Sequence, residues 1–202
     1  MKSVPASEAV AERADRGDPT DEEILCGWLE GDRSMFAMLI KRYEGPLHAL
    51  LYRLSGSRSA AADLFQETFL RVFENARSFR GDSRFKTWLY AIATNLCRER
   101  WRGNHLRDAR SLSHSPEPPS GDPTPSERAA SGEIGCRVQR AVAALPIEQR
   151  EVFVLKTYQE MTYAEIAETL DHPTGTVKSR MRLALQKLRT ELRDVAEAHD
   201  VT

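Results

Sequence analysis

The sequence predicts an all-α protein made of two small helical domains joined by a flexible Pro/Ser-rich linker. Three observations predict it. Apolar residues recur at three- and four-residue steps on both sides of the middle of the chain, and no alternating strand pattern of any length interrupts them. Between those blocks, Arg110 to Ser131 holds Pro116, Pro118, Pro119, Pro123 and Pro125 among Ser, Gly, Asp and Glu. Such a run has almost nothing to bury and is expected to hold no helix. Finally, aromatic residues make up only 7% and β-branched runs are few, while a hydrophobic content of 41% is enough to fill two small cores. The expected layout is a tail over 1–19, a helical domain over 20–109, a linker over 110–131 and a second helical domain over 132–198.

The elements follow in order. Met1 to Pro19 mixes Ala, Glu, Arg, Asp and Gly with no apolar core, so it reads as a solvated tail and not a secretory leader. Thr20 and Glu23 form a capping box that starts a helix carrying Ile24, Leu25, Trp28 and Leu29. Gly31-Asp32 ends it. Ser34 opens the next helix, with Phe36, Leu39, Ile40 and Tyr43 on one face. Gly45-Pro46 is expected to interrupt that face before Leu47, Leu50, Leu51 and Leu54 resume it. Gly56-Ser57 marks a turn, and a third helix runs from Ala60 to Ala76. A loop over 77–82 leads to Ser83, a cap for a last helix from Arg84 to about Trp101. Its first half carries Phe85, Trp88, Leu89, Ile92 and Leu96, and its second half is Arg98-Glu99-Arg100-Trp101-Arg102. Aromatics interleaved with cations near a loop can stack unpaired bases and neutralise their phosphates, whereas Phe85, Trp88 and Tyr90 also suit a core.

The second block is dominated by Met161 to Leu192. Thr162 and Glu165 form a second capping box, Ala164, Ile166, Ala167 and Leu170 give a small apolar face, and Asp171-His172-Pro173 stops the helix. Thr174 can cap the next helix, along which Val177, Met181, Ala184, Leu185, Leu188 and Leu192 recur at helical spacing. At 100° per residue, Ser179, Arg182 and Gln186 fall opposite Val177, with Lys178 and Arg189 on the flank. Two short helices joined this way, with short polar and cationic groups on the outer face of the second, form a helix-turn-helix suited to the major groove.

Charge sharpens this reading. The net charge is −1, yet residues 84–110 carry seven Arg/Lys against two acids, and residues 176–193 carry six against one. Each patch is thus +5 and the remainder of the chain −11. A protein that finds DNA alone relies on a broad positive field. Two local patches in an acidic chain favour delivery to DNA by a partner. Cys26, Cys97 and Cys136 are widely spaced and odd in number, which fits a reducing compartment and neither a disulfide framework nor a zinc site. The five histidines are scattered, with no HExxH, Gly-rich phosphate cradle or nucleophile elbow, so no enzyme, metal or cofactor is expected. No run of about 18 apolar residues offers a membrane span.

The segment DLFQETFLRVFENARSFRGDSRFKTWLYAIATNLCRERWR, residues 63–102, resembles region two of the extracytoplasmic-function (ECF) sigma factors of bacteria. The segment VAALPIEQREVFVLKTYQEMTYAEIAETLDHPTGTVKSRMRLALQKLRTEL, residues 142–192, resembles their region four. Both in this order around a Pro/Ser-rich linker make the likeness specific. The resemblance implies a four-helix region-two domain and a helix-turn-helix region-four domain. Asp63, Gln66, Glu67 and Phe69 match the stretch that docks on core RNA polymerase. Phe79, Ser83, Arg84, Phe85, Lys86, Thr87 and Trp88 match the loop and helix start that read the −10 element, where a flipped non-template base is captured at an extrusion cost of a few kcal/mol. Asn95, Arg98, Arg100 and Arg102 would steady the duplex edge and its phosphates. Thr176, Lys178, Ser179, Arg180, Arg182 and Gln186 match the −35 reader, with Leu183 departing from members that carry a polar or basic residue there.

The implied partners are core RNA polymerase, through its β′ clamp helices and β flap, promoter DNA, and an anti-sigma factor that covers both basic patches. The implied role is a cytoplasmic specificity subunit without catalysis, cofactor or membrane insertion. The alternative is a stand-alone helix-turn-helix regulator that acts without polymerase, although the first block offers neither a phospho-acceptor site nor a ligand-binding βαβ unit.

Overall fold

The structure, a computed structural model, describes residues 18–110 and 125–193. Most of the expected tail over 1–19 and of the expected linker over 110–131, and the expected end of the last helix beyond 193, lie outside the described residues. All regular structure among the described residues is helical. The first block comprises α1 (Asp21–Leu29), α2 (Arg33–Ser55), α3 (Arg58–Asn75), a one-turn 3₁₀ helix (Ala76–Ser78) and α4 (Phe85–Arg110). The second comprises α5 (Pro125–Ala143), α6 (Ile147–Thr157), α7 (Tyr163–Leu170) and α8 (Thr174–Glu191).

Local chemistry sets most boundaries. Both capping boxes form: Glu23 N–H donates to Thr20 and Glu165 N–H to Thr162, each at 3.2 Å, while each glutamate accepts in return. Asp32 caps α2 by accepting from the N–H of Ser34, and Gly56 ends α2 at φ 72°, a left-handed conformation that glycine adopts without strain. Ser57 caps α3.

Three expectations are corrected. Gly45-Pro46 does not interrupt α2, which runs unbroken through both. An internal proline costs about 3 kcal/mol through the lost bond and the clash with the preceding turn. Tyr43, Leu47, Leu50 and Leu51 are buried around it, each contributing about 1.5–3 kcal/mol, so packing overrides local preference. Helix also covers 125–131, within the stretch expected to hold none: α5 begins at Pro125, the first helical position, where proline is tolerated. That helix bends at Gly132, whose φ is 66°. Finally, the start of α4 is tied to α1, since Phe85 N–H donates to the carboxylate of Glu22 at 2.7 Å; at α8 the cap position is Pro173 and Thr174 is already helical.

The two blocks pack on each other. Ile24, Leu39, Leu47, Leu50, Phe85 and Leu89 of the first block join one buried apolar cluster with Val152, Leu155, Ile166 and Val177 of the second. Helix α2 meets α5 and α6, and α4 meets α7.

Candidate nucleic-acid interface

Helices α7 and α8 build the helix-turn-helix. The turn depends on Asp171, left-handed at φ 52°, whose N–H donates to the α7 carbonyls of Ala167 and Glu168, and on His172 N–H, which donates to Ala167 at 2.9 Å. Aspartate tolerates that conformation better than most side chains. On α8, Val177, Met181, Ala184 and Leu188 are buried, which rolls Lys178, Ser179, Arg182 and Gln186 out to solvent. Arg182, Leu185, Gln186, Arg189, Thr190 and Arg193 line an open groove of about 550 Å³. Leu185, expected within the apolar stripe, is exposed, because it lies a third of a turn from Ala184 where no helix covers it. Thr176 and Arg180 are half-buried, and Arg180 Nη1 is a buried nitrogen with no hydrogen-bond partner among the described residues.

The other basic patch lies along α4. Arg84, Asn95, Arg100 and Arg102 are exposed, while Phe79, Ser83, Lys86, Trp88 and Arg98 are half-buried. Phe79, Phe85 and Trp88 form a ring cluster with centroids 5.2–6.2 Å apart. Phe85 and Thr87 are in the core, so neither offers a face to a base.

Three cations, Arg84 just before α4 and Lys86 and Arg98 on it, are engaged by the second block. Arg98 Nε donates to both carboxylate oxygens of Glu151 at 2.8 and 2.9 Å, and its Nη2 donates to Oε2 at 2.8 Å. Lys86 Nζ donates to the backbone carbonyl of Gln159 at 3.1 Å, and Arg84 pairs with Glu165 at 3.5 Å. Arg100 pairs instead with Asp63 of α3 at 3.2 Å. Glu151 is 0% exposed; burial pushes its carboxyl above the usual range, and Arg98 and Arg180 pull it back. Beside it, Arg150 donates to the carbonyls of Leu54 at 2.7 Å, of Leu145 at 2.9 Å and of Ala143.

On α3, Asp63 and Gln66 are exposed, and Glu67 accepts from Arg71 at 3.1 Å. Phe69 is buried, its ring 6.1 Å from Phe36 and 5.0 Å from Phe65. Its neighbours Leu70 and Phe73, 51% and 54% exposed, are the apolar residues that face out. The ring of Phe73 lies 5.2 Å from that of Trp28 and 5.7 Å from that of Phe36. Sequence reasoning missed Leu70 and Phe73, although both fall off the buried stripe of Leu64, Thr68 and Val72, a signal available at helical spacing. It also missed Arg150 and Glu151, for which no local pattern marks buried charge.

Among the described residues, no group of His, Cys, Asp and Glu is placed to hold a metal ion, and no helix is long and apolar enough to cross a membrane. His48 stacks on Phe65 at 4.1 Å, and His172 sits in the turn.

Comparison with known proteins agrees with this geometry. The Sigma-70 region 2 family matches residues 39–107 and the Sigma-70 region 4 family residues 137–188. The chain is 34% identical over 174 residues to the ECF RNA polymerase sigma factor SigW of Bacillus subtilis, covering 82% of this chain and 93% of SigW. It is 35% identical over 174 residues to the ECF RNA polymerase sigma factor SigM of Mycobacterium tuberculosis, covering 86% and 85%. Its fold is shared with CnrH, solved with the cytosolic domain of CnrY, at a TM-score of 0.66 and 22% identity over 86% of this chain and 97% of that one. It is shared too with the sigma factor RpoE of Bartonella quintana, solved with the anti-sigma factor NepR, at 0.59 and 24% over 78% and 96%. With both sigma regions in order, and with relatives above 30% identity matched over most of their length, the chain belongs to the ECF family of RNA polymerase sigma factors.

Proposed function

We propose that this ECF sigma factor, which binds core RNA polymerase and directs promoter-specific initiation, reads the −35 duplex with α8 and the −10 element with α4 and the loop before it. The observation that carries the reading is the split face of α8: its apolar stripe is buried against α6 and α7, and Lys178, Ser179, Arg182 and Gln186 face solvent. A cation and an amide one helical turn apart can hydrogen-bond guanine and adenine edges, and Lys178 and Arg189 reach flanking phosphates. At the −10 element, Phe79 and Trp88 offer half-buried rings against which an extruded base can stack. Arg84, Lys86, Asn95, Arg98, Arg100 and Arg102 supply hydrogen bonds and counter-charge to the opened strand.

Docking on polymerase falls to Asp63, Gln66 and Glu67, with Leu70 and Phe73 adding an exposed apolar anchor and Phe69 holding α3 in place from beneath. The phosphodiester chemistry belongs to the polymerase, and the site of action is the cytoplasm. An anti-sigma factor is the natural antagonist, since the sigma factor RpoE that shares this fold was solved with one. Footprinting of the holoenzyme on its promoters tests the assignment. Arg182→Ala should weaken −35-dependent binding by about 1–3 kcal/mol, the worth of one good base contact. An unchanged footprint would remove Arg182 as a base reader.

A further inference from the structure

We propose that Leu183 is a specificity-determining residue of α8, which reads the C5-methyl group of a thymine in the −35 element through apolar contact. The proposal rests on the reading above in one respect, that the outer face of α8 enters the major groove.

Leu183 is 40% exposed, and the core does not need it. Val177, Met181, Ala184 and Leu188 supply the buried stripe of α8. Leu183 stands about 240° around the helix from Val177, between Ser179 at about 200° and Thr176 at about 260°. Ser179 lies one turn before it and Gln186 one turn after, so Leu183 shares the outward face with groups suited to base edges. Leu185 is exposed to a similar degree, at 41%, but stands on the opposite flank at about 80°. Of the two leucines, Leu183 is the one that the reading face carries. It is also the position at which this chain departs from members of the family with a polar or basic residue.

Its surroundings fit a base edge. Ser179, Arg182, Gln186 and Lys187 flank Leu183, and all four are exposed. A leucine set among cations and hydrogen-bonding groups suits a partner that offers anionic and acceptor groups around a single apolar one. In the major groove thymine presents its O4 acceptor beside a C5-methyl, and no other base of unmodified DNA carries a methyl there. Cytosine instead turns an amino donor towards the groove, which apolar carbon would leave unpaired. Arg182 and Gln186 suit guanine and adenine edges, so Leu183 adds a group for a third base. One helical turn of about 5.4 Å spans fewer than two base-pair steps of about 3.4 Å. The thymine therefore lies within about two base pairs of the base that Arg182 contacts.

The test uses the holoenzyme, this protein on core RNA polymerase, with DNA randomised across the −35 region. Selection by the wild type should enrich thymine at a position that Leu183→Ala no longer constrains and that Leu183→Arg turns towards guanine. Deoxyuridine there removes the methyl and keeps the hydrogen-bonding edge. It should weaken wild-type binding about fourfold, the worth of one buried methyl group, and leave Leu183→Ala binding unchanged. Leu183→Ala should keep the helicity of the wild type, since alanine favours helix and the buried stripe is untouched. Full tolerance of deoxyuridine by the wild type, an equal loss in both proteins, or a thymine preference that survives Leu183→Ala would each overturn the proposal. Arg182→Ala separates that failure from failure of the reading beneath it. Lost −35 binding there, with Leu183 silent, removes the methyl contact alone; no change in either variant removes α8 from the −35 duplex as well.

Discussion

Replacing Arg150 by Met should lower the unfolding free energy by about 3 kcal/mol. Arg150 sits on α6 at the meeting point of three helix ends, where it donates to the carbonyls of Leu54 at the end of α2, Ala143 at the end of α5 and Leu145 just beyond. Final-turn carbonyls lack helical donors, so Arg150 satisfies groups that no neighbouring N–H reaches. Met matches the stem in length and flexibility but leaves three buried acceptors unpaired, each costing about 1 kcal/mol or more. Charged donors would suggest a larger loss, but burial lowers the pKa of Arg150, a sign that desolvation opposes part of the gain. With a urea slope near 2 kcal/mol/M, the midpoint followed by far-UV circular dichroism should fall by about 1.5 M. A shift below about 0.3 M would refute the idea that Arg150 fastens these helix ends.

Three other outcomes follow from the same geometry. Phe73→Glu, at an exposed position of α3, should leave the circular dichroism spectrum intact yet abolish co-elution with core polymerase; retained co-elution would move docking off this patch. Burial pushes the Cys97 thiol up to about 12, so a native-state thiol reagent should modify exposed Cys26 and spare Cys97 until urea unfolds the chain. Thr162→Ala should cost about 1 kcal/mol at neutral pH by removing the α7 cap. Hydrogen bonds from Thr162 hold the Glu165 carboxyl below the usual carboxylate range. That contribution is thus complete above its unfolded value of about 4.3 and lost as pH falls through the lower folded value, so the wild-type advantage should shrink only in acid.

What was legible in the sequence was local. The capping boxes at Thr20 and Thr162, the stop at Asp171-His172-Pro173 and the stripe of Val177, Met181, Ala184 and Leu188 depend on neighbours within one or two turns, and each forms as expected. What escaped depends on distant partners. Pro46 stays helical because the buried residues of α2 outweigh one missing bond. Glu22 caps a helix that begins 63 residues later. Glu151 is buried because Arg98, 53 residues earlier, meets it, and Arg150 because its acceptor at Leu54 lies 96 residues away. The candidate sites divide the same way. Exposed Lys178, Ser179, Arg182 and Gln186 could be placed by helical period, whereas the burial of Phe69, Phe85 and Thr87 follows from how four helices close over one another.

Run-off transcription with purified core RNA polymerase across a small promoter library tests the central claim most directly. The account predicts promoter-specific transcripts that appear only when this protein is added, and that depend on both a −35 and a −10 element. Transcripts independent of the protein, or binding to promoter duplex in the absence of polymerase with no transcript at all, would contradict it.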